Sequence, residues 1–303
     1  MEHLSRIDHD QLRALAAVVR EGSFERAAAR LSVTPSAVSQ RIKLLEHRIG
    51  RLLVRRTTPA SATADGEVLV RLAEQAALLE HEAFVRLGVD DAAPRAGIRV
   101  AVNHDSLETW FVDAAARFAA QTDITLDMQT EDQDHTAALL RDGSVLGAVT
   151  TLADPVQGCR IHALGSMRYV ATCTPAFHAL HFSQGVGART LAAAPVLVFN
   201  RKDAMQARFV QRVMRGAAWQ PPVWWLPSSR AFVQATLAGL GWTMNMQILV
   251  QEHLDSGRLV PLRPRAWEDV PLYWQHWRVE TQAMHQLTDA VLAAAAGQLR
   301  RGR

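Results

Sequence analysis

The sequence is poor in cysteine, and this scarcity narrows the classes of protein that it can encode. Only Cys159 and Cys173 occur in 303 residues, so a small fold held together by disulfides is excluded. Two buried free thiols in a reducing compartment are the favoured interpretation, with a redox pair as the alternative. Twelve histidines are scattered without an H-x-x-x-H or C-x-x-C pair, which argues against a metal site. We therefore expect no metal and no cofactor.

Long apolar runs are also missing. No stretch approaches the roughly 20 apolar residues that a membrane-spanning helix needs. Residues 1–13 are polar and charged, unlike a secretory signal. The sequence predicts a cytoplasmic protein with no membrane partner, associated with the nucleoid if it binds DNA.

Motifs of common catalytic sites are absent as well. No G-x-G-x-x-G, P-loop or G-x-S-x-G motif appears, so nucleotide binding and serine-hydrolase chemistry have no support. Serine, histidine and aspartate all occur, but no spacing singles out a triad. We predict that the protein has no catalytic residues and is not an enzyme. An enzyme with an appended DNA-binding domain is the alternative.

A charge asymmetry is present. Residues 1–56 carry eleven basic and six acidic side chains, a net charge of +5, whereas the whole chain carries +3. A basic N-terminal segment on a slightly acidic body is typical of a protein that binds nucleic acid. The composition, with 49% hydrophobic and 21% charged residues, is that of a globular chain long enough for two or three domains.

The basic segment contains the pattern of two short helices joined by a tight turn. Thr34 is a suitable N-cap for the second helix, and Pro35 occupies its first position, where the missing N–H costs nothing. A preceding helix, capped by Asp8 or Asp10 and ended by Gly22, completes a predicted three-helix core. The apolar faces are Leu12, Leu15, Ala16 and Val19, then Phe24, Ala27, Ala28 and Leu31, then Val38, Ile42, Leu45 and Ile49.

The outer face of the last of these helices is polar, as a helix that enters the major groove requires. An ordinary helical hairpin with a solvated face is the alternative. The strip from Arg51 to Thr58 would form a β-hairpin wing, or else a solvated turn. We predict base-edge contacts from Pro35, Ser36, Ser39 and Gln40, and contacts to phosphate or the minor groove from Thr34, Arg41, Lys43, Arg55 and Arg56.

One long helix is predicted from Thr63 to Leu87, followed by a polar hinge from Gly88 to Gly97. Its apolar residues repeat at nearly heptad spacing, so the helix must bury this seam. A second copy of the helix is the natural partner, and packing on its own domain is the alternative. The seam consists of Val68, Leu72, Ala76, Leu79, Ala83 and Leu87.

From Gly97 onward, strands and helices alternate, which predicts parallel sheets with helices on their faces, arranged as two lobes around a cleft. Most of the eight tryptophans are expected in the core, and Trp110 is the candidate to line the cleft. The predicted strands are 98–102, 124–129, 145–151, 169–173, 195–199, 223–226, 242–245 and 272–277, and the predicted helices are 107–118, 136–141, 204–214, 230–240 and 281–299.

Binding sites in open α/β sheets lie beyond the carboxyl ends of strands, where helices begin. Asn103 ends one strand, and Ser106 and Ser229 each stand where a helix is expected to start. Free N–H groups at such a start favour a carboxylate, although plain helix capping is the alternative for either serine alone. Glu131 and Asp132 follow another strand and would attract a cation, unless that loop is simply solvated.

The segments AAARLSVTPSAVSQRIKLLE and RLLVRR strongly resemble the winged helix-turn-helix of LysR-type transcriptional regulators, and the resemblance covers nearly the whole chain. It implies a winged helix-turn-helix at 1–60, a linker helix and hinge at 61–94, and a two-lobed, periplasmic-binding-protein-like α/β effector domain at 95–303. Lobe I would cover about 95–163 and 267–303, and lobe II about 164–266. Double-stranded promoter DNA, RNA polymerase and further copies of the chain, as a homodimer or homotetramer, are the implied partners.

Four further segments, VNHDSLETW, TEDQDHTAALLRDGSVLGAVTT, GSMRYVATCTPAF and FVQATLAGLGWTMN, are similar to the arginine/lysine-responsive branch of that family. The resemblance implies control of a basic amino-acid export gene and an effector that is L-lysine or L-arginine. Ser106 would face the carboxylate of this effector, and Glu131 and Asp132 its cationic end. The motif TMNM at 243–246 departs from the Gly and Pro usual in the branch, which predicts a loop of different shape. A LysR-type regulator with another effector is the alternative.

Overall fold

A computed structural model describes residues 7–89, 97–131, 136–214 and 219–301. Contacts divide the chain into two units, and each unit is assembled from three segments. Unit 1 consists of Met1–Asn103, Ala114–His162 and Trp274–Val291, and unit 2 of His104–Asp113, Ala163–Tyr273 and Leu292–Arg303. Within the described ranges, no helix is both long and apolar enough to cross a membrane.

Unit 1 begins with the predicted three-helix core. Helix α1 spans His9–Glu21, α2 spans Phe24–Arg30 and α3 spans Pro35–Ile49. Asp8 caps α1, and Gly22 ends it in the left-handed conformation that glycine adopts without strain. Thr34 caps α3 by accepting a hydrogen bond from the backbone of Ala37. The apolar faces predicted from the sequence form one buried cluster.

The wing is a short antiparallel hairpin. Strand β1 covers Val54–Arg55 and β2 covers Ser61–Ala62, with Arg55 opposite Ser61. The wing therefore extends to Ala62, and the boundary predicted at Thr58 was wrong. The returning strand is only two residues long and lies in a segment rich in serine, threonine and alanine, so it leaves no apolar alternation to detect.

Helix α4, Ala64–Arg86, has two different faces. Leu69, Val70, Ala73 and Leu78 are buried within the chain. The predicted seam lies on the other side, and its large members are between 41% and 77% exposed: Val68, Leu72, Leu79 and Leu87. The helix therefore packs on its own unit through a stripe that differs from the seam, and the seam remains uncovered in this chain.

The rest of unit 1 is built around three parallel strands in the order β5-β3-β4. Strand β3 covers Gly97–Asn103, β4 covers Thr125–Glu131 and β5 covers Gly147–Thr150. Strand β4 continues two residues beyond its predicted end, so Glu131 lies in the strand rather than in a loop and pairs in register with Asn103. Helix α7, Thr136–Asp142, follows this strand.

Unit 2 opens with a helical turn that directly follows β3. It comprises α5, His104–Ser106, and a π-helical segment, Leu107–Phe111, before α6 begins at Val112. Strand β6, Cys159–Cys173, pairs antiparallel with β9, Thr243–Met246, and with β10, Val260–Pro261. Strand β7, Val196–Val198, pairs in parallel with β8, Val223–Trp225. Near the C-terminus, Ser166 and Arg300 exchange two backbone hydrogen bonds of 2.8 and 3.0 Å. The third segment of unit 2 is thus joined to the second.

Several elements of the remaining chain were absent from the sequence prediction: α8 at 175–181, α9 at 188–193, α12 at 247–255, β10 and the part of β6 at 159–168. The remaining elements are α6 Val112–Ala119, α8 Pro175–His181, α9 Ala188–Ala193, α10 Met205–Met214, α11 Ser229–Leu237, α12 Gln247–Asp255, β11 Trp267–Trp277 and α13 Gln282–Gln298.

The TMNM motif forms strand β9, which agrees with the strand predicted at 242–245, so the motif is not the loop that its departure from Gly and Pro predicted. All four residues are buried. The Thr243 hydroxyl donates to the Leu197 carbonyl at 2.9 Å and accepts from Gln206 Nε2 at 3.1 Å. Asn245 Nδ2 donates to the hydroxyl of Thr172 at 2.9 Å. Thr243 and Asn245 can occupy this buried strand because each side chain finds a hydrogen-bond partner.

Candidate DNA-binding surface and effector site

The N-terminal half of α3 presents the predicted base-reading side chains. Pro35, Ser36 and Gln40 are exposed, and Ser39 is half-exposed. They lie on the side opposite the buried residues Val38, Ile42 and Leu45, and the exposed Lys43 continues the same face. The Thr34 and Ser36 hydroxyls lie 2.9 Å apart. The sequence therefore folds so that the short polar side chains point away from the core.

Glu46 attaches the wing to α3. Its Oε1 accepts hydrogen bonds from the backbone N–H groups of Leu53 at 2.9 Å and Val54 at 3.3 Å. Arg55 and Arg56, the two predicted wing contacts, follow immediately and are exposed. A carboxylate that accepts two backbone N–H groups fixes the start of the hairpin, so the position of both arginines depends on Glu46.

Two of the predicted phosphate contacts, Arg56 and Arg41, already have partners within the helix-turn-helix domain. The Arg56 guanidinium lies over the ring of Phe24, 5.1 Å from its centroid. Arg41 Nη2 forms an ion pair with Asp10 Oδ2 of α1 at 2.8 Å. An Arg41 contact to phosphate requires this pair to open or to be shared, whereas the cation–π contact leaves the charge of Arg56 available at the surface.

The polar centre of unit 2 is the Asp105 carboxylate, which is partly buried. The Tyr169 hydroxyl donates to Oδ2, and the Ser229 hydroxyl donates to Oδ1 at 2.8 Å. The three residues come from α5, β6 and the start of α11. Two hydroxyl donors hold the carboxylate in one orientation, and no basic side chain of the described residues forms an ion pair with it.

Desolvation dominates the electrostatics of this group and raises the pKa of Asp105. The two hydroxyl donors lower the pKa, and the nearby Asp203 carboxylate raises it. Burial together with the Asp105 charge also raises the pKa of Tyr169 well above 10.0, so the phenol stays protonated and remains a donor. Because the two hydroxyl donors compensate the charge of the Asp105 carboxylate only in part, the site can accept a cation.

Ser106 follows Asp105 and is fully buried, and its hydroxyl has no hydrogen-bond partner among the described residues. One helical turn later, the Trp110 Nε1–H is buried and also has no hydrogen-bond partner among the described residues. Neither group caps a helix. Buried polar groups are normally paired, so these two donors are available for a partner other than the described residues of the chain.

Ser229 is not a cap, although a capping serine stands next to it. The hydroxyl of Ser228 accepts the hydrogen bond from the Ala231 N–H and starts α11. Ser229 is the first residue of the helix and points to Asp105. Beside it, Arg230 Nε pairs with Glu108 Oε2 at 3.0 Å along a surface groove of unit 2.

The remaining predicted effector residues belong to unit 1. Asn103 closes β3, and its buried Oδ1 has no partner within the described residues. Glu131 closes β4, next to Asn103 in register. Asp132 and the side chain of Glu131 lie outside the described residues.

Sequence reasoning missed Asp105 and Tyr169 as site residues. Asp105 lies just before the helix start predicted at Ser106, and Tyr169 lies in the strand predicted at 169–173. A charged residue directly after a buried strand is a detectable signal, because such positions line the sites of α/β sheets. The Tyr169 contact spans 64 residues of sequence, and no local pattern reveals it.

Family models match nearly the whole chain. A bacterial regulatory helix-turn-helix protein model of the lysR family matches residues 9–67, and a LysR substrate binding domain model matches residues 91–296. The lysine export transcriptional regulatory protein LysG of Corynebacterium glutamicum is 41% identical over 290 residues, which cover 96% of this chain and 98% of that protein.

Solved structures agree with this similarity. The crystal structure of ArgP from Mycobacterium tuberculosis has a TM-score of 0.84 and 46% identity, and covers 98% of this chain and 100% of that one. The full-length LysG of Corynebacterium glutamicum with bound effector Arg has a TM-score of 0.76 and 41% identity, and covers 97% and 100%. The fold, the two matched domains and the relatives all agree with the predicted architecture, and the chain belongs to the LysR family of transcriptional regulators.

Proposed function

We propose that this regulator binds promoter DNA through its winged helix-turn-helix, senses L-lysine or L-arginine through its effector domain, and controls a basic amino-acid export gene. One observation carries the proposal: a relative that matches the chain end to end has been solved with arginine bound. The LysG protein of the same organism carries the name lysine export transcriptional regulatory protein. The protein acts in the cytoplasm, on the nucleoid.

The assigned DNA contacts follow from exposure and charge. Pro35, Ser36, Ser39 and Gln40 read base edges because they stand on the outer face of α3. Thr34, Arg41, Lys43, Arg55 and Arg56 contact phosphate or the minor groove. The hydrogen bonds from Leu53 and Val54 to Glu46 support this division, since they attach to α3 the strand that leads into the two arginines.

The assigned effector contacts divide by charge. Ser106 receives the effector carboxylate, which its unpartnered hydroxyl supports. Asn103 and Ser229 complete the polar surroundings. Glu131 and Asp132 take the cationic end of the side chain, because carboxylates pair with ammonium and guanidinium groups.

The proposed assembly is a homodimer or homotetramer that recruits or blocks RNA polymerase. The exposed apolar seam of α4 supports pairing with a second copy, because a row of large apolar side chains at near-heptad spacing is otherwise left in water. The proposed domains are the head at 1–60, whose wing is completed by strand β2 at 61–62, the linker at 61–94 and the effector domain at 95–303. Within the effector domain, lobe I covers about 95–163 and 267–303, and lobe II covers about 164–266.

Calorimetric titration of the full chain tests the effector. L-lysine and L-arginine are compared with L-leucine and L-glutamate, which lack the cationic side chain, and DNA footprints with and without each amino acid provide the second readout. Selective binding of a basic amino acid together with an altered footprint supports the proposal. Binding of another class, or no change of the footprint, overturns the effector assignment while the DNA-binding role stands.

A further inference from the structure

We propose that Asp105 is an effector-binding residue whose carboxylate receives the α-ammonium group of the amino-acid effector. The inference rests on the proposed function for the class of effector. It adds a residue to the site and assigns to it one of the two positive charges of lysine or arginine.

The Asp105 carboxylate is held in place but is not neutralised. Tyr169 and Ser229 each donate one hydrogen bond to a different oxygen. A carboxylate has about four acceptor positions, so each oxygen keeps capacity for another donor. No ion pair to Asp105 exists among the described residues. An ammonium group, with three donors and a positive charge, supplies what the site lacks.

The position of the carboxylate is fixed before any effector arrives. Tyr169 lies in β6, paired in register with Met246 of β9, and Ser229 begins α11. Both donors are buried on regular elements, so they hold the acceptor without a large loss of freedom on binding. Burial of a charge without a compensating cation is unfavourable. The raised pKa of Asp105 is the sign of this cost, which a bound cation removes.

The neighbours of Asp105 indicate which of the two effector cations it receives. Ser106 and Trp110 carry buried donors that lack a partner among the described residues, and residues four apart lie on one face of a helix. Donors of this kind complement a carboxylate. The α-carboxylate and the α-ammonium share one carbon atom, so the groups that bind them must themselves be neighbours. We assign these two roles to Asp105 and Ser106, which are consecutive residues of α5.

A thermodynamic cycle on the full chain tests the assignment. The ligands are L-lysine and 6-aminohexanoate, which is lysine without its α-amino group. The affinity of the weaker ligand is measured by displacement at millimolar concentration. We expect Asp105→Asn to weaken the binding of L-lysine by about 10- to 100-fold, since a charge-assisted hydrogen bond is lost. The same variant should bind 6-aminohexanoate as the wild type does. Equal weakening of both ligands, or of neither, overturns the inference.

The wild-type titration separates this inference from the proposed function. If the wild type binds neither lysine nor arginine, the proposed function fails and the role of Asp105 fails with it. If the wild type binds lysine and the cycle shows no coupling, only the role of Asp105 is overturned.

Two adjacent serines provide a matched control and guard against misfolding. Ser229→Ala removes a donor to Asp105 and should weaken the binding of L-lysine several-fold. Ser228→Ala removes the cap of α11 and should lower the melting temperature without weakening L-lysine. Tyr169→Phe removes the other donor while it keeps the ring. Equal affinity losses for Ser228→Ala and Ser229→Ala would show a general effect on α11, and the inference would fall.

Discussion

Glu74 and Arg99 form a buried ion pair between linker helix α4 and strand β3. Glu74 Oε1 lies 2.6 Å from Arg99 Nε, and the two side chains are 14% and 9% exposed. Desolvation raises the pKa of Glu74, and the charges of Arg99 and of Arg20 from α1 oppose that rise. The pair thus connects the helix that leaves the DNA-binding head to the strand that leads toward Asp105.

Removing one partner of this ion pair should destabilise the protein far more than replacing both partners with apolar residues. We expect Arg99→Met to lower the free energy of unfolding by about 3–5 kcal/mol, because it leaves a buried carboxylate uncompensated. The double variant Glu74→Met, Arg99→Met should recover most of that loss. Urea unfolding measures both. Arg51–Asp65, at 2.6 Å but 65% and 44% exposed, is the matched control, and Arg51→Met should cost at most about 1 kcal/mol. Similar losses at the two sites would contradict the prediction.

Gln40 and Arg55 should affect DNA binding in different ways. Gln40→Ala removes a predicted base-edge contact and should cost about 1–3 kcal/mol at one base pair, with relaxed sequence choice there. Arg55→Ala removes a predicted phosphate or minor-groove contact and should weaken all DNA sequences about equally, with a smaller dependence on salt. Fluorescence anisotropy with the promoter and with single-base variants compares the two. An equal loss on every sequence for Gln40→Ala would remove its base-reading role.

The attachment of the wing by Glu46 makes another prediction. Glu46→Ala removes the acceptor for Leu53 and Val54, which should loosen the hairpin that carries Arg55 and Arg56. We expect weaker binding to promoter and non-promoter DNA alike, together with faster amide hydrogen exchange at residues 53–56. Unchanged exchange in this segment would show that the wing does not depend on Glu46. Arg51→Met, which leaves both hydrogen bonds in place, is the control.

Effector binding should depend on pH through Asp105. Its folded pKa is raised above 3.8, so in the free protein its stabilising contribution is complete below 3.8 and is lost as the pH rises through the folded pKa. The effector has the opposite preference, because its ammonium group requires the ionised carboxylate. Affinity for L-lysine should therefore fall as the pH falls through the folded pKa.

The charged groups that act on Asp105 are His104, which lowers its pKa, and Asp203, which raises it, while Tyr169 remains a neutral donor. Titrations across this pH range in wild type and Asp105→Asn separate the contributions. The variant should lose the dependence on pH, and a variant that retains it would assign the effect to another group.

The elements predicted from the sequence are those in which the buried apolar residues repeat at one regular spacing. Helices α1 to α4 carry apolar residues at helical spacing and recognisable caps, so their bounds were predicted within one or two residues. The part of β6 at 159–168 mixes Arg160, His162 and Ser166 with apolar residues, and the exposure of its residues does not alternate cleanly. This part of the strand was missed because its burial depends on neighbouring elements and not on its own residue pattern.

The candidate site was predicted only where a local signal existed. Ser106 and Ser229 were identified from their positions after strands and before helices, but their contacts were not. The difference between Ser228, which caps α11, and Ser229, which holds Asp105, is a shift of one residue. Helix boundaries read from sequence are not accurate enough to resolve it.

The three-segment construction of unit 2 has a consequence for synthesis of the chain. The core of the head is complete at Ala73, whereas the backbone pairing of Ser166 with Arg300 forms only when the last residues are available. At about 5–20 residues per second, a ribosome needs roughly 10–45 seconds between these two points. During that time the nascent chain carries a folded DNA-binding head and an incomplete sensor, so a message that breaks in this interval encodes a head that no effector can regulate.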